Sequence, residues 1–345
     1  MSSAADTMHV ADAGLPAPDG AARARWPVTC AKVAFAALLV GALFYAEVIS
    51  WRDLAAIAAD PRTSLAPLGL LAVAFVLGGV RWYILLKALG VLLPVRAVLE
   101  IYAIGTFASV FLPGGVGGDI VRATYVMRAV RDHRSAGLVS IMFDRLSGLI
   151  GLLAVTSALI ALNWAQIAEH PAILLISVSA VLLLAALVIP SVAILVVAGP
   201  LQRLELLASW NEAGGLRRHV VRLVAALVTI RGRSGSLALA CLLSVALSSL
   251  TISSIVLLAS HFALLLSPLA VATAAGLAVL ATAVPITPGG IGVGEAAFAY
   301  LCGLWDLGQA PVAYGTVFFG YRLASMLLAL ASGTAFVTYT KPVQT

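Results

Sequence analysis

The sequence predicts an all-α polytopic membrane protein with about six full transmembrane helices and two re-entrant helical hairpins, arranged as an inverted repeat. Three observations predict this fold class: the composition, the lengths of the apolar runs, and two matching glycine-proline loops. Of the 345 residues, 62% are hydrophobic and only 10% are charged, and the mean hydropathy is +1.07. Soluble globular domains carry about 25% charged residues, so this composition is typical of a membrane protein.

Six apolar runs are long enough to cross a membrane, which takes about 20 residues of helix. Two further runs, near 96–112 and 267–287, stop at the glycine-proline loops, and a shorter, moderately apolar segment follows each loop. We therefore expect these two runs to turn back inside the membrane. The six long runs lie near 31–50, 66–88, 136–162, 171–199, 236–260 and 311–340.

The two loops, 113–119 and 288–295, begin 175 residues apart, which is about half the chain. Each starts with Pro-Gly-Gly, passes through a β-branched residue to glycine, and ends on a carboxylate. Irregular backbone is tolerated at membrane depth only where it is buried in protein or lines a cavity, and its recurrence in both halves indicates a transporter site. The residues predicted to form opposing gates are Pro113, Gly114, Gly115, Gly117, Gly118, Pro288, Gly289, Gly290 and Gly292.

The charge distribution favours hairpins over full spans. If 96–131 enters from the cytoplasm and 267–304 enters from the opposite side, nearly all basic clusters become cytoplasmic, as the positive-inside rule requires. Three of the loops that become external, at 163–170, 260–266 and 305–310, then contain no lysine or arginine. The first half begins inside and the second outside, so the repeats are inverted. Eight plain spans with a weak charge bias remain an alternative.

This threading divides the chain into three segments. Residues 1–28 are rich in alanine, aspartate and proline and are predicted to be a disordered cytoplasmic tail. Residues 29–165 form the first membrane repeat, and residues 166–345 form the second. The basic loop 200–235 of the second repeat is either an amphipathic segment on the membrane surface or an ordinary cytoplasmic connection.

Ionisable residues inside membrane segments are costly and usually functional. We expect Arg81 and Glu100 to lie near an interface, where long side chains reach water. Asp144 and Arg145 lie too deep in their run for that. The candidate substrate-binding residues are Asp119, Arg122, Asp144, Arg145, Glu295 and Arg322.

The first loop has the residues of an anion site. If a helix follows it, Asp119 occupies the N-cap position, and Arg122, three residues later, shares its face and can pair with it. A glycine-rich loop before a helix N-terminus attracts phosphate, and arginine adds a bidentate contact. Alternatively, the glycines are present only because the tip of the hairpin needs a tight turn. Glu295 has no nearby arginine, so it pairs with Arg145 or Arg322 or titrates as a proton-coupling group.

Other function classes find little support. Basic clusters between apolar runs are typical of cytoplasmic loops, so we expect no nucleic acid as partner. The three cysteines are far apart, and no metal-ligand spacing occurs, so we expect no metal and no cofactor. We expect no enzymatic activity either. An intramembrane aspartyl protease would need a Gly-x-Gly-Asp arrangement, which fails because residue 116 is valine.

Three motifs in order resemble the flippase-like membrane domain of lysylphosphatidylglycerol synthases: Phe111 to Arg122, Phe143 to Gly148, and Pro285 to Glu295. The Arg81-Trp82 pair and Arg322 also resemble family features. The resemblance covers nearly the whole chain after residue 30. The chain ends at Thr345, five residues beyond the last apolar run, so we expect a stand-alone member without the aminoacyl-transfer domain or synthase activity.

The resemblance implies a multi-pass protein of the bacterial inner membrane that moves a lipid between leaflets. Candidate substrates are a phospholipid, a hopanoid and a lipid-linked sugar, and the arginines favour a phosphate-bearing headgroup. Without a nucleotide-binding motif, energy would come from an ion gradient, the lipid gradient or exchange. Alternatives are a non-transporting scaffold for a lipid-modifying enzyme and an intramembrane enzyme. Candidate protein partners are a lipid-synthesis enzyme and a second copy of the chain.

Overall fold

The structure is a computed structural model, and its described part contains α-helices and short 3-10 turns but no strand. The prediction of an all-α polytopic membrane protein is confirmed. The described residues are 34, 37–38, 40–111, 117–130, 134–201, 232–262, 266–283, 287–306 and 313–339. The predicted tail 1–28, most of the loop 200–235, and the loop residues Pro113, Gly114 and Gly115 lie outside them.

The helices fall into two successive groups. The first group is α1 (Trp51–Ala59), α2 (Pro61–Ala88), α3 (Val95–Phe111), α4 (Gly117–Ala129), α5 (Arg134–Leu162) and α6 (Trp164–Ala168). The second group is α7 (Pro171–Leu201), α8 (Ser234–Ser260), α9 (Pro268–Thr282), α10 (Val293–Asp306), α11 (Tyr314–Ala331) and α12 (Ala335–Thr338), with 3-10 turns at Pro288–Gly290 and Ser332–Thr334.

Five segments in the described part are long and apolar enough to cross a membrane. They lie in α2, α5, α7, α8 and the continuous stretch from α11 to α12, and each matches a predicted run. The sixth predicted run, 31–50, is described only in part: its residues 40–45 are helical and a turn follows. Five of the six predicted spans are therefore confirmed as helices of membrane-crossing length and composition.

The two predicted hairpins are pairs of shorter helices. Helices α3 and α4 have 17 and 13 residues, and α9 and α10 have 15 and 14. At 1.5 Å per residue these helices are about 20–26 Å long, which is less than the ~30 Å hydrocarbon core. In each pair the second helix packs back against the first. The membrane face from which each pair enters, and the inverted relation of repeats 29–165 and 166–345, remain predictions.

Two main apolar clusters are described. In the first half, Trp82, Ile101 and Val126 from α2, α3 and α4 pack together, fully buried. A larger cluster surrounds Phe298 and Phe318 of α10 and α11 and includes Ile160 of the first half. Helix α8 packs along α2 and α5 and joins the two halves. The charged residues described below contact the first core at Trp82.

The α3–α4 pair depends on close backbone contact at two glycines. A Cβ atom on Gly118 would lie 2.3 Å from the carbonyl oxygen of Gly105, so a larger residue requires the helices to move apart. We expect Gly118→Ala to lower the free energy of unfolding by about 1–3 kcal/mol. The measurement is unfolding of the detergent-solubilised protein. Gly303→Ala is the control because a Cβ there meets nothing within 4 Å, and an equal loss in both variants would contradict the packing.

Candidate functional site

Five charged side chains from three helices form one connected centre, which we call the first charged centre. Arg81 of α2 donates from Nε to Asp144 Oδ1 of α5 at 2.9 Å. Arg122 of α4 donates from Nη1 and Nη2 to Asp144 Oδ2, both at 3.1 Å. Its Nη1 also contacts Asp119 Oδ1 at 3.4 Å. Arg145 Nε of α5 donates a hydrogen bond to Asp119 Oδ2 at 2.6 Å.

The centre is buried at one end and open at the other. Arg81, Arg122 and Asp144 are 8%, 5% and 3% exposed, whereas the Arg145 side chain is 59% exposed. Burial of charge is tolerated only with partners, and Asp144 supplies a partner to two guanidinium groups at once. The centre therefore runs from a desolvated core at Asp144 to an accessible end at Arg145.

Neutral side chains hold the two buried arginines. Ser244 of α8 accepts a 2.9 Å hydrogen bond from Arg81 Nη1. The Arg122 guanidinium lies over the rings of Trp82 and Tyr102, at 4.2 and 4.9 Å from their centroids. Such cation–π contacts stabilise a cation by about 0.5–2 kcal/mol when it is desolvated. Arg122 is thus held between two aromatic rings and two carboxylates.

The first charged centre carries more positive than negative charge. Among the described residues, three guanidinium groups share two carboxylates through these bonds, so these five side chains together carry one net positive charge. In addition, Arg122 Nε is buried and has no hydrogen-bond partner. An unpaired buried donor is costly, and an anion is a ligand that could accept from Arg122 Nε and interact favourably with the net positive charge of these five side chains.

Glycines give the arginines room. A Cβ atom on Gly105 would lie 2.2 Å from Arg122 Cγ, and one on Gly148 would lie 3.2 Å from Arg81 Nη1. Both glycines lie inside helices, where glycine is otherwise unfavourable by about 1 kcal/mol. At Gly105 a Cβ would collide with the aliphatic part of the Arg122 side chain, and at Gly148 it would crowd the Arg81 guanidinium group.

The second half contains a separate, balanced ion pair, the second charged centre. Glu295 of α10 is fully buried and accepts from Arg322 of α11 on both carboxylate oxygens. Arg322 also donates to the carbonyl oxygens of Gly289 and Gly290 at 2.7 and 2.9 Å. Glu295 Oε2 accepts from the N–H of Gly292 at 2.8 Å. The negative charge of Glu295 and the positive charge of Arg322 balance, and the hydrogen bonds from Arg322 also stabilise the glycine loop.

This loop uses backbone angles that favour glycine. Gly289, Gly290 and Gly292 have φ values of 63°, 68° and 83°, in the left-handed region that residues with a Cβ rarely adopt. The carbonyl groups of Gly289 and Gly290 consequently turn toward Arg322. The glycines of the second predicted gate therefore expose backbone oxygens to one guanidinium group.

The two centres repeat one arrangement. In each half the carboxylate is the third residue of the second hairpin helix: Asp119 in α4 and Glu295 in α10. In each half an arginine from the following membrane-length helix binds it, 26 residues later for Arg145 and 27 residues later for Arg322. This correspondence supports an internal repeat. The halves differ in that only the first adds Arg81, Arg122 and Asp144.

The sequence predictions for the site can now be compared with the geometry. Asp119, Arg122, Asp144 and Arg145 meet in the first centre, and Glu295 and Arg322 in the second. The predicted pairing of Asp119 with Arg122 is confirmed. Of the two arginines proposed for Glu295, the partner is Arg322.

Two expectations were wrong. Arg81 was expected to reach water at an interface, but it is 8% exposed and bonded to Asp144 and Ser244. Asp119 was expected at the N-cap, but α4 begins two residues earlier, at Gly117. Its carboxylate is instead used by Arg122 and Arg145. Glu100 lies on α3 and pairs with the exposed Arg96 four residues before it.

Sequence reasoning also missed the aromatic and hydroxyl partners Trp82, Tyr102 and Ser244. Trp82 could have been proposed as a partner because it follows Arg81 in the sequence. Nothing in the sequence distinguishes Tyr102 and Ser244 from ordinary core residues. Among the described residues, no group of three or more His, Cys, Asp or Glu side chains is arranged to hold a metal ion.

The family comparison agrees with this architecture. The family described as the lysylphosphatidylglycerol synthase TM region matches residues 30–333. No curated protein matches the chain. Because the family match covers most of the sequence and includes both charged centres, the chain belongs to this family.

Proposed function

We propose that this member of the lysylphosphatidylglycerol synthase TM-region family moves a lipid with an anionic, phosphate-bearing headgroup between membrane leaflets. The observation that carries the proposal is the first charged centre, with one excess positive charge between membrane-length helices. Family membership supports a role in lipid handling. The headgroup would enter this centre while the hydrocarbon chains stay in the lipid phase.

The chemistry of the centre fits a phosphate. Arginine presents several N–H donors in one plane and binds phosphate oxygens in pairs. Arg145 lies at the accessible end, and the N-terminus of α4 at Gly117 lies one turn from Arg122. Backbone N–H groups at a helix N-terminus add further favourable potential for an anion. A neutral headgroup would form weaker hydrogen bonds with these arginines than a charged phosphate does.

Transport is favoured over a purely structural role by the comparison of the two halves. Among the described residues, guanidinium groups and carboxylates are equal in number in the second charged centre, whereas the first has one more guanidinium group than carboxylates, which a purely structural ion pair does not need. Among the described residues, no group of three or more His, Cys, Asp or Glu side chains is arranged to hold a metal ion for lipid chemistry. A scaffold for a lipid-modifying enzyme is the rival function, and it predicts that the purified chain alone moves no lipid.

The test begins with the lipid that the protein retains. We expect mass spectrometry of the purified protein to show enrichment of anionic phospholipid, and Arg145→Gln to reduce it about tenfold. The reason is that a charged hydrogen bond contributes about 1.5–3 kcal/mol. Because the Arg145 side chain is 59% exposed, the variant should fold normally.

Arg128→Gln is the matched control, because this arginine is exposed on the same helix α4. It removes the same charge from the protein without touching the centre. Equal lipid profiles for wild type, Arg145→Gln and Arg128→Gln would contradict the assignment of the site. Retention of lipid without translocation in liposomes would favour the scaffold.

A further inference from the structure

Helix α5 contacts Arg122 twice, once directly and once through an aromatic ring. Asp144 binds the edge of the guanidinium group, with Nη1 and Nη2 both 3.1 Å from Oδ2. Ser140 lies four residues earlier, on the same face of α5, and accepts a 3.0 Å hydrogen bond from the indole N–H of Trp82. Arg122 Cζ lies over that indole, 4.2 Å from the ring centroid. Ser140 therefore reaches Arg122 through Trp82.

The two aromatic rings beside Arg122 do not hold it from opposite faces. Its Cζ lies 4.2 Å from the Trp82 centroid and 4.9 Å from the Tyr102 centroid, and the two centroids are 6.5 Å apart. These three distances form a nearly right-angled triangle, so the rings meet at a corner around the cation. Because neither ring opposes the other, the orientation of the indole depends on its own contacts.

The indole has one directional contact in addition to its apolar packing. Trp82 is fully buried against side chains that include Ile101 and Val126. Such apolar packing is non-directional, whereas the hydrogen bond to Ser140 fixes one edge of the ring. Ser140 is also fully buried, and its hydroxyl donates to the carbonyl oxygen of Gly137 at 2.7 Å. The hydroxyl proton is thereby committed, and the oxygen is left as an acceptor for the indole.

We propose that Ser140 is a positioning residue for the headgroup site and acts on Arg122 through Trp82. In the orientation that it maintains, Asp144 accepts from the two Nη groups, and Nε has no partner among the described residues. Nε is then the donor that a phosphate oxygen of the lipid accepts from. This inference rests on the proposed function, because it concerns how the site proposed there binds its headgroup.

The consequence of losing this contact follows from the neighbouring carboxylate. Asp119 Oδ1 lies 3.4 Å from Arg122 Nη1, which is longer than a charge-assisted hydrogen bond normally is. A guanidinium group that is free to turn away from the indole can shorten this contact and direct its donors to Asp119. Fewer donors then remain for a lipid, so the variant binds its headgroup more weakly without losing the ability to move it.

The first test separates binding from turnover. Proteoliposomes with increasing fractions of fluorescently labelled phosphatidylglycerol give a maximal translocation rate and a half-saturating fraction. We expect Ser140→Ala to raise the half-saturating fraction about fivefold, a change of the size that one lost cation–π contact causes. The maximal rate per folded molecule should stay near that of the wild type. Ser140→Thr keeps the hydroxyl and should restore the wild-type fraction.

Ser254→Ala is the matched control. Ser254 of α8 is fully buried, and its hydroxyl donates to the carbonyl oxygen three residues earlier at 2.7 Å, as that of Ser140 does. It does not belong to the first charged centre, so Ser254→Ala should leave the half-saturating fraction unchanged. An equal rise in both alanine variants, or no rise in Ser140→Ala, overturns the proposal.

A double substitution separates positioning from a purely structural role. Ser140 bonds both Trp82 and Gly137, so a structural role through Gly137 persists without the indole. In a Trp82→Phe background, adding Ser140→Ala should therefore leave the half-saturating fraction where Trp82→Phe puts it. A further rise in the double variant contradicts the positioning role. This pair also decides the question if Ser140→Ala does not fold, since the double variant buries no unpaired indole N–H.

A spectroscopic test needs no lipid. In protein with isotope-labelled tryptophan, the indole N–H peak in the NMR spectrum that is missing from Trp82→Phe belongs to Trp82. Arg122→Met should move this peak because the cation leaves the ring, and the movement should be smaller in the Ser140→Ala background. Equal movement in both backgrounds refutes the positioning of Arg122 by Ser140. A wild type that moves no lipid but shows the difference would refute the proposed function alone.

Discussion

Asp144→Asn is expected to lower the free energy of unfolding by about 3–5 kcal/mol, the largest loss of any single charge change in the described part of the chain. Asp144 is 3% exposed and bonds both Arg81 and Arg122. Asparagine keeps the volume but removes the negative charge. Two guanidinium groups then remain buried, and the carboxylate left in the centre, Asp119, contacts only Arg122 of the two, at 3.4 Å.

The measurement is equilibrium unfolding of the purified protein in mixed detergent micelles. Glu169→Gln is the control, because Glu169 is exposed just after α6. Surface substitutions of this kind usually change stability by less than about 0.5 kcal/mol. If both variants lost the same stability, the first charged centre would not be desolvated as the structure describes.

A second substitution tests the cause. Adding Arg81→Met to Asp144→Asn removes one of the uncompensated charges, so the double variant should be more stable than Asp144→Asn alone. Two residues in contact usually show a coupling energy of about 0.5–3 kcal/mol in such a cycle. Additive losses would indicate that Arg81 and Asp144 act independently.

The sequence was sufficient to predict the membrane-length helices, but it did not predict which charged side chains on different helices form ion pairs. Apolar runs of about 20 residues predict membrane-length helices because the bilayer fixes that length, and five runs correspond to such helices. The bond between Arg81 and Asp144 joins residues 63 apart on two different helices. Such a contact depends on how α2 packs against α5, which local patterns do not encode.

Some features of the second half were visible in the sequence and were overlooked. Tyr314, Phe318 and Arg322 are spaced four residues apart, which places them on one helix face. That spacing predicts a continuous contact with the preceding helix, and it singles out Arg322 as the partner of Glu295. Asp306 gives no comparable signal, because an acid near a predicted outer loop is indistinguishable from a solvated one until its burial is known.

Arg122→Met is expected to stop most lipid movement while the protein stays folded. Removing Arg122 leaves two balanced pairs, Arg81 with Asp144 and Arg145 with Asp119, so the excess positive charge disappears without stranding a carboxylate. Methionine fills much of the space between Trp82 and Tyr102. The lost cation–π contacts should cost about 1 kcal/mol of stability, and the lost hydrogen bonds to Asp144 Oδ2 about 1.5–3 kcal/mol more.

Native proteins are stable by about 5–15 kcal/mol, so most of the variant should stay folded, and the loss of transport should exceed any loss of folded protein. Loss of a charged contact to a phosphate corresponds to about 1.5–3 kcal/mol, or about a 10- to 100-fold slower translocation. The assay uses proteoliposomes that contain fluorescently labelled phosphatidylglycerol, with dithionite quenching of label exposed in the outer leaflet. Arg128→Met, which removes an exposed arginine from the same helix, should translocate at the wild-type rate.

Comparison with Asp144→Asn separates charge balance from loss of structure. Both variants alter the same hydrogen-bonded chain, but Asp144→Asn increases its net positive charge, whereas Arg122→Met removes the excess. If anion recognition limits transport, Arg122→Met is the slower transporter per folded molecule even though it is the more stable protein. A folded Arg122→Met that translocates at the wild-type rate would show that the excess charge of the first centre does not bind the headgroup.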